Sequence, residues 1–273
     1  MKATREAFGY QLPIMGDKHK NIVALDADLG KATKIASFKE SHPDRFIQMG
    51  IAEANMISVA SGISEYGYKI FLASFGSFLT GRYDQIRIMR ALPNMVVLNP
   101  ASYSEAIKVI EYLCETDLQS PHYLRLGRQP VEDIEMPFEI GKGQIVKDGG
   151  NITIFSTGCI LGDVMESARI IENDTEQKVR VVNIPTLKPI DTDIIVECAK
   201  TSDMLFTVED HSVIGGLGSA VSDVLTEHFP VKLSKIGLDD VFPESAPPAD
   251  LYEKYGLSSK QIAKRVINES MGK

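Results

Sequence analysis

Long apolar runs are missing from this 273-residue chain, so no segment reads as a membrane-spanning helix. The start, Met1-Lys2-Ala3-Thr4-Arg5, leads directly into a helical pattern rather than a signal peptide, and a cytoplasmic protein is expected. Cysteine is scarce. Cys114, Cys159 and Cys198 form an odd, dispersed set without metal-ligand spacing, which argues against a disulfide framework and fits a reducing compartment. The five histidines, His19, His42, His122, His211 and His228, do not cluster, so no protein-held zinc site is expected. Basic charge is in deficit: 29 Lys and Arg face 37 Asp and Glu, and the formal charge of −8 argues against a nucleic-acid partner. Gly215-Gly216-Leu217-Gly218 falls short of the dinucleotide fingerprint, and no P-loop lysine follows it. It reads as close packing of a helix on a strand, with a phosphate cradle as the alternative. Internal repeats and low-complexity segments are absent as well.

What is present is enough apolar sequence, 44% of residues, for two ordinary cores. A helix is expected over 3–16, broken or ended around Pro13. Strands follow at 21–25, 46–49, 70–74, 95–98 and 122–126, with helices from Glu53, over 77–91 and over 101–115. The stretch after Gly127 holds Pro130, Pro137 and several acids without periodicity, and 129–142 reads as a linker. Alternation then resumes, with strands at 151–156, 179–183, 204–208 and 231–236 between helices. The expectation is an α/β chain of two domains, 1–128 and 143–273, each a mostly parallel sheet with helices on both faces.

One stretch stands out, Phe46-Ile47-Gln48-Met49-Gly50-Ile51-Ala52-Glu53-Ala54-Asn55-Met56. It reads as a buried strand, a glycine turn and a helix whose apolar face is Ala52, Met56, Val59, Ala60 and Ile63. Glu53 then lies in the first helical turn, beside unpaired N–H groups and the positive end of the dipole. A plain helix-start acid is the simple reading. Its alanine neighbours and the apolar lead-in instead favour a partly buried carboxylate that needs a specific partner. A second stretch, Phe75-Gly76-Ser77-Phe78, follows a strand end, where open α/β sheets place ligands. The two rings are core packing or a stacking surface for a flat heteroaromatic ligand.

Gly50-Ile51-Ala52-Glu53-Ala54-Asn55-Met56 resembles the motif of the pyrimidine-binding domain in transketolases and related thiamine diphosphate enzymes. The resemblance implies that Glu53 is the catalytic carboxylate that hydrogen-bonds the aminopyrimidine ring and shifts it toward the imino tautomer. The run from Phe75 through Phe78 to Tyr83-Asp84-Gln85-Ile86-Arg87 is similar to the family's aminopyrimidine pocket. It implies Phe75 and Phe78 as stacking residues and Arg82 as a pocket neighbour, with Asp28 an interface or cofactor-proximal residue. Arg5 and Arg128 match family positions that hold the sugar phosphate, a role suited to a guanidinium fork. Without the resemblance each arginine reads as a surface ion-pair partner. The family's phosphate-binding serine is not here: Ala27-Asp28-Leu29 is followed by Gly30, Lys31, Ala32 and Thr33, so either Thr33 or Lys31 substitutes or phosphate binding is weaker.

The resemblance covers the middle and last domains of a full transketolase: pyrimidine-binding over 1–128 and C-terminal over 143–273. No Gly-Asp-Gly…Asn motif for the magnesium and cofactor diphosphate occurs. The resemblance therefore implies an amino-terminal transketolase partner that holds Mg2+, with thiamine diphosphate shared between chains. Self-association, most simply as a heterotetramer, is implied too. Family members continue Tyr-Asp-Gln-Ile-Arg with a further strand and an acid–histidine loop. Here Arg87-Ile88 runs straight into Met89-Arg90-Ala91-Leu92-Pro93, so one strand and that loop are expected to be lost. The implied activity is transfer of two-carbon ketol units between sugar phosphates. The alternatives are a deoxyxylulose-phosphate synthase-like subunit and a non-catalytic subunit that has lost its loop.

Overall fold

The computed structural model describes residues 1–79, 89–241 and 243–271. Its first long element, Thr4–Lys18, is one helix that runs through Pro13 instead of breaking there. Thr4, Ala7, Phe8, Gln11, Leu12 and Met15 form its buried stripe. Pro13 has no N–H to give the carbonyl of Gly9, one turn earlier. The Ser37 hydroxyl lies 2.6 Å from that carbonyl, and 2.8 Å from Lys34 O as a second acceptor. Gly9 permits this approach, since a Cβ there would sit 2.6 Å from the Lys34 Cβ. A tertiary contact thus replaces the missing helical bond, which local sequence rules could not supply.

The strands Phe46–Gln48, Ile22–Asp26 and Lys69–Ala73 lie side by side in that order, all parallel. Asp26 is level with Gln48 on one side and Ala73 on the other. The helix Glu53–Ser64 covers one face, packing Met56 and Ala60 on Val23 and Leu25. Helices Thr4–Lys18, Ala36–Ser41 and Tyr103–Glu115 cover the other. The sequence favours a buried strand before Gly50, but Phe46–Gln48 is an edge strand with half-buried Phe46 and Ile47 and exposed Gln48. It has one neighbour to cover it, not two.

A separate parallel pair, Val96–Leu98 and His122–Leu124, is joined by Thr186–Lys188, which runs antiparallel to Val96–Leu98. The first region therefore carries two three-stranded sheets among the described residues, where a single sheet lacking one strand was expected. Phe71 and Leu124 pack into the same apolar clusters, and Lys69 Nζ donates to the carbonyls of Cys114 and Thr116. The strand Lys2–Ala3 pairs with Pro130–Val131 and ties the chain start to the stretch read as a linker.

The second region has a five-stranded sheet ordered Leu233–Leu238, Met204–Ser212, Ile152–Thr157, Val179–Asn183 and Gln144–Lys147. Only the Gln144–Lys147 edge is antiparallel. Helices Leu161–Asp174 and Ser259–Ser270 pack on one face, Thr192–Lys200 and Leu217–His228 on the other. Gln144–Lys147, Thr186–Lys188 and the helix Pro248–Lys254 are too short to show a period and are not legible in the sequence.

Polar contacts stitch the two regions. Arg125 pairs with Asp210 at 2.7 Å, and Tyr252 accepts from Gln129 at 2.7 Å while donating to Asp210 at 3.3 Å. Arg90 donates to Gly215 O and Gly216 O, and Lys188 to Arg90 O and Leu92 O. Deepest is Glu105, which is fully buried and accepts from Ala101 N at 2.6 Å and from Asn183 Nδ2 at 2.8 Å. Burial pushes its carboxyl up to about 7; the Ala101 and Asn183 bonds and the charge of Lys108 oppose that without cancelling it.

Two predictions follow from these contacts. Ser37→Ala leaves the Gly9 carbonyl without a partner and costs about 1–3 kcal/mol, read from the midpoint of a urea titration. Glu105 binds its proton more tightly folded, near 7, than unfolded, near 4.5. Its contribution is therefore complete below the unfolded value and is lost as pH rises through about 7. Urea titrations from pH 4.5 to 8 will show stability falling across that window by an amount on the order of 3 kcal/mol. In Glu105→Gln the fall is absent, since the amide stays neutral and can donate to Asn183 Oδ1 after that side chain turns over.

Candidate functional site

The carboxyl ends of Phe46–Gln48, Ile22–Asp26 and Lys69–Ala73 are level, so the segments that follow them leave one edge of the sheet together. Glu53 lies on the first, Asp28 on the second, and Phe75 and Phe78 on the third. Sheets of this kind place ligands at that edge.

Glu53 is the first residue of its helix, set there by a turn at Gly50, whose φ of 69° favours glycine. Ala52 N closes the turn onto Gly50 O at 2.8 Å. The Glu53 side chain is half-buried and forms no hydrogen bond or ion pair among the described residues. A carboxylate in that position, at a helix start but unused as a cap, is open to a donor from outside the chain.

Phe75 and Phe78 stack on each other with centroids 6.1 Å apart and planes 27° off parallel, and they are 37% and 55% exposed. They are therefore not core packing. Asp28 is exposed and has a φ of 67°, a left-handed conformation. Arg82 lies outside the described residues.

Arg5 and Arg128 are brought close in the backbone. Arg5 N donates to Gly127 O at 3.3 Å, and the Thr4 hydroxyl accepts from Gly127 N at 2.7 Å. Arg5 directs one guanidinium N–H at Ala32 O, 2.9 Å away, and its buried Nε has no partner. That carbonyl belongs to the loop of Lys31 and Thr33, so the cations expected around a phosphate share one neighbourhood. Thr33 itself donates back to Leu29 O at 3.1 Å. Arg128 is exposed.

A carboxylate without a partner among the described residues and an exposed aromatic pair suit the ring end of thiamine diphosphate. Among the described residues no group of three His, Cys, Asp or Glu could hold a metal ion.

The glycine run at 215–218 is structural. The Glu209 carboxylate, fully buried, accepts from Leu217 N at 2.7 Å and Gly218 N at 2.8 Å. It fills the helix N-terminus that a phosphate would need, and a Cβ at Gly216 would overlap it. Sequence reasoning did not identify Glu209 as the group that fills this helix N-terminus. It also missed Asp26, a buried acid closing an otherwise apolar strand, which was the available signal.

Two family models match the chain: the transketolase pyrimidine binding domain over residues 1–91 and the transketolase C-terminal domain over residues 141–262. A Methanocaldococcus jannaschii chain named as a transketolase C-terminal section is 36% identical, over 98% of this chain and 96% of its own length. The SqwH subunit of a 6-deoxy-6-sulfo-D-fructose transketolase from Clostridium sp. (strain MSTE9) is 31% identical, over 90% and 88%. A solved split-gene transketolase, an inactive beta4 tetramer, superposes with a TM-score of 0.91 at 36% identity, covering 98% of both chains. Longer relatives, a transketolase and a 1-deoxy-D-xylulose-5-phosphate synthase, are covered over 48% of their length. The first of these alignments runs over 310 positions against 273 residues here, so that relative carries residues without counterparts in this chain. With both domain types matched, and a relative above 30% identity covered end to end, the chain belongs to the transketolase family.

Proposed function

We propose that this chain is the carboxy-terminal subunit of a two-chain, thiamine diphosphate-dependent transketolase that moves two-carbon ketol units between sugar phosphates. The observation that carries the reading is the Glu53 carboxylate, without a partner among the described residues, on a segment that leaves the level ends of three parallel strands at the same edge as Phe75 and Phe78. The cofactor, when bound, supplies a nucleophilic carbon for the ketol unit. Glu53 holds a proton in exchange with one ring nitrogen, in a setting where little water need reorganise. Phe75 and Phe78 offer a flat apolar surface to the ring, and Asp28 lies on the neighbouring loop. Arg5 and Arg128 bind the sugar phosphate.

Magnesium and the diphosphate belong to a separate amino-terminal chain in this reading, and residues 129–142 join the two domains of this one. The exposed face of Glu53–Ser64, with Ala54, Ile57, Ser58, Ser61 and Gly62 and no charge after Glu53, suits a lasting interface with that partner or a second copy. The assembly is then a heterotetramer. We assign it to the cytoplasm: all three thiols are free and buried, and burial pushes Cys114 up to about 12 and Cys159 to about 11, which leaves them inert.

A second reading, a non-catalytic subunit, is favoured by one observation. The chain runs from Arg87 to Met89-Arg90 without the strand and acid–histidine loop, and the matching solved tetramer is inactive. Synthesis of a deoxyxylulose phosphate is the remaining alternative. Co-expression with an amino-terminal subunit and a ketol-transfer assay with thiamine diphosphate and Mg2+ separates the three. The expected outcome is cofactor-dependent transfer that Glu53→Ala lowers by roughly 10²–10⁴-fold. Cofactor binding without transfer would establish the non-catalytic reading, and deoxyxylulose-phosphate formation the other enzyme.

A further inference from the structure

We infer that Asp26 is a positioning residue, one buried carboxylate that fixes both the loop of Asp28 and the turn that leads to Glu53. What those loops are for rests on the function proposed above; how they are held does not.

Asp26 closes the fully buried strand Ile22–Asp26 and is 3% exposed. Its peptide group already belongs to the ladder, with parallel partners on both sides, and Met49 N donates to its carbonyl at 2.9 Å. The side chain is therefore not required to build the sheet. A buried carboxylate does require donors, and it takes them from two different segments. Oδ1 accepts from Leu29 N at 3.1 Å. Oδ2 accepts from Gln48 Nε2 at 3.1 Å.

The first bond folds the chain back over the strand end. Asp28 sits inside that fold, with its φ of 67°, a left-handed conformation that aspartate tolerates better than most residues. Gly30 completes the fit: a Cβ there would come within 2.8 Å of Oδ2. The second bond holds the last residue of the edge strand, two positions before the Gly50 turn that starts the Glu53 helix. An edge strand with one neighbour has little else to fix its end. Its two ties to Asp26, Gln48 through the side chain and Met49 through the backbone, set where the turn begins. One carboxylate thus places the acid on each loop.

The test uses the full-length chain alone, followed by amide hydrogen exchange. Asp26→Ala should raise exchange by at least about tenfold at Leu29 and over 49–53, the equivalent of one or two lost hydrogen bonds. Strands Ile22–Asp26 and Lys69–Ala73 should keep their protection. Gln48→Leu should loosen 49–53 alone. Asp26→Asn should behave close to wild type, since its oxygen still accepts from Leu29 N and Gln48 can turn its own oxygen toward the new amide. In the two-chain complex, Asp26→Ala should lower kcat with little change in KM, and Asp26→Asn should restore it. Equal loss of protection across all three strands would make Asp26 a structural residue, and unchanged exchange in both loops would refute the tie. Loosened loops with a normal kcat would overturn the positioning role. An inactive wild-type complex counts against the proposed function, while the loop tie is still decided on the free chain.

Discussion

Parallel pairing of Ile22–Asp26 with a strand on each side is the constraint on which the site depends. Parallel strands in register end level, and each must then cross over through a helix or loop before the next begins. Three such exits leave the same edge here. The acids on two of them and the aromatic pair on the third thus leave the same edge without any sequence proximity. The helix of Glu53 starts at this edge because its strand ends there, so the positive end of its dipole faces the same space.

The two regions are joined by polar contacts as much as by apolar ones. Thr186–Lys188 adds a strand to the sheet of the other region, and Arg90, Lys188, Arg125 and Glu105 each reach across. Breaking one partner of such half-buried pairs strands the other, so the junction resists partial opening. Burial pulls the Arg125 guanidinium down, but the adjacent Asp210 more than compensates and holds it above its ordinary range. Arg125 stands three residues before Arg128, and Gly127 between them bonds Thr4, beside Arg5. The contact that locks the regions therefore also holds the backbone that carries Arg5 and Arg128, the two arginines proposed to bind phosphate.

Much of this was legible in the amino acids. Alternating apolar segments gave the α/β class, and the elements around Glu53 fall within a residue or two of where the pattern put them: a strand at 46–48, a glycine turn, a helix from 53. Phe75 and Phe78 stood at a strand end by spacing alone. The errors were local rules overruled from a distance. Pro13 was read as a helix break because a proline cannot give its hydrogen bond, yet Ser37 supplies the substitute from another element. The glycine run at 215–218 was read as close packing of a helix on a strand, and it is: a Cβ at Gly218 would lie 2.9 Å from Thr207 Oγ1, while Glu209 fills the helix N-terminus from within.

By itself the sequence determined what each segment can be, since period, glycine and charge act within a few residues: a strand, a turn, a helix led by a carboxylate. It determined what is missing too, the metal–diphosphate motif and the acid–histidine loop. Only the tertiary structure decided which of these segments meet. Strand order and register are set by packing between residues far apart in the chain, so nothing near Asp26 in sequence announces that its carboxylate would stand between Leu29 and Gln48. The same holds for the splitting of the first region into two sheets, where Phe71 and Leu124 share a core without sharing a ladder. Burial, not composition, makes an ordinary aspartate the tie between two loops, because a charge removed from water takes whatever donors the fold brings within reach.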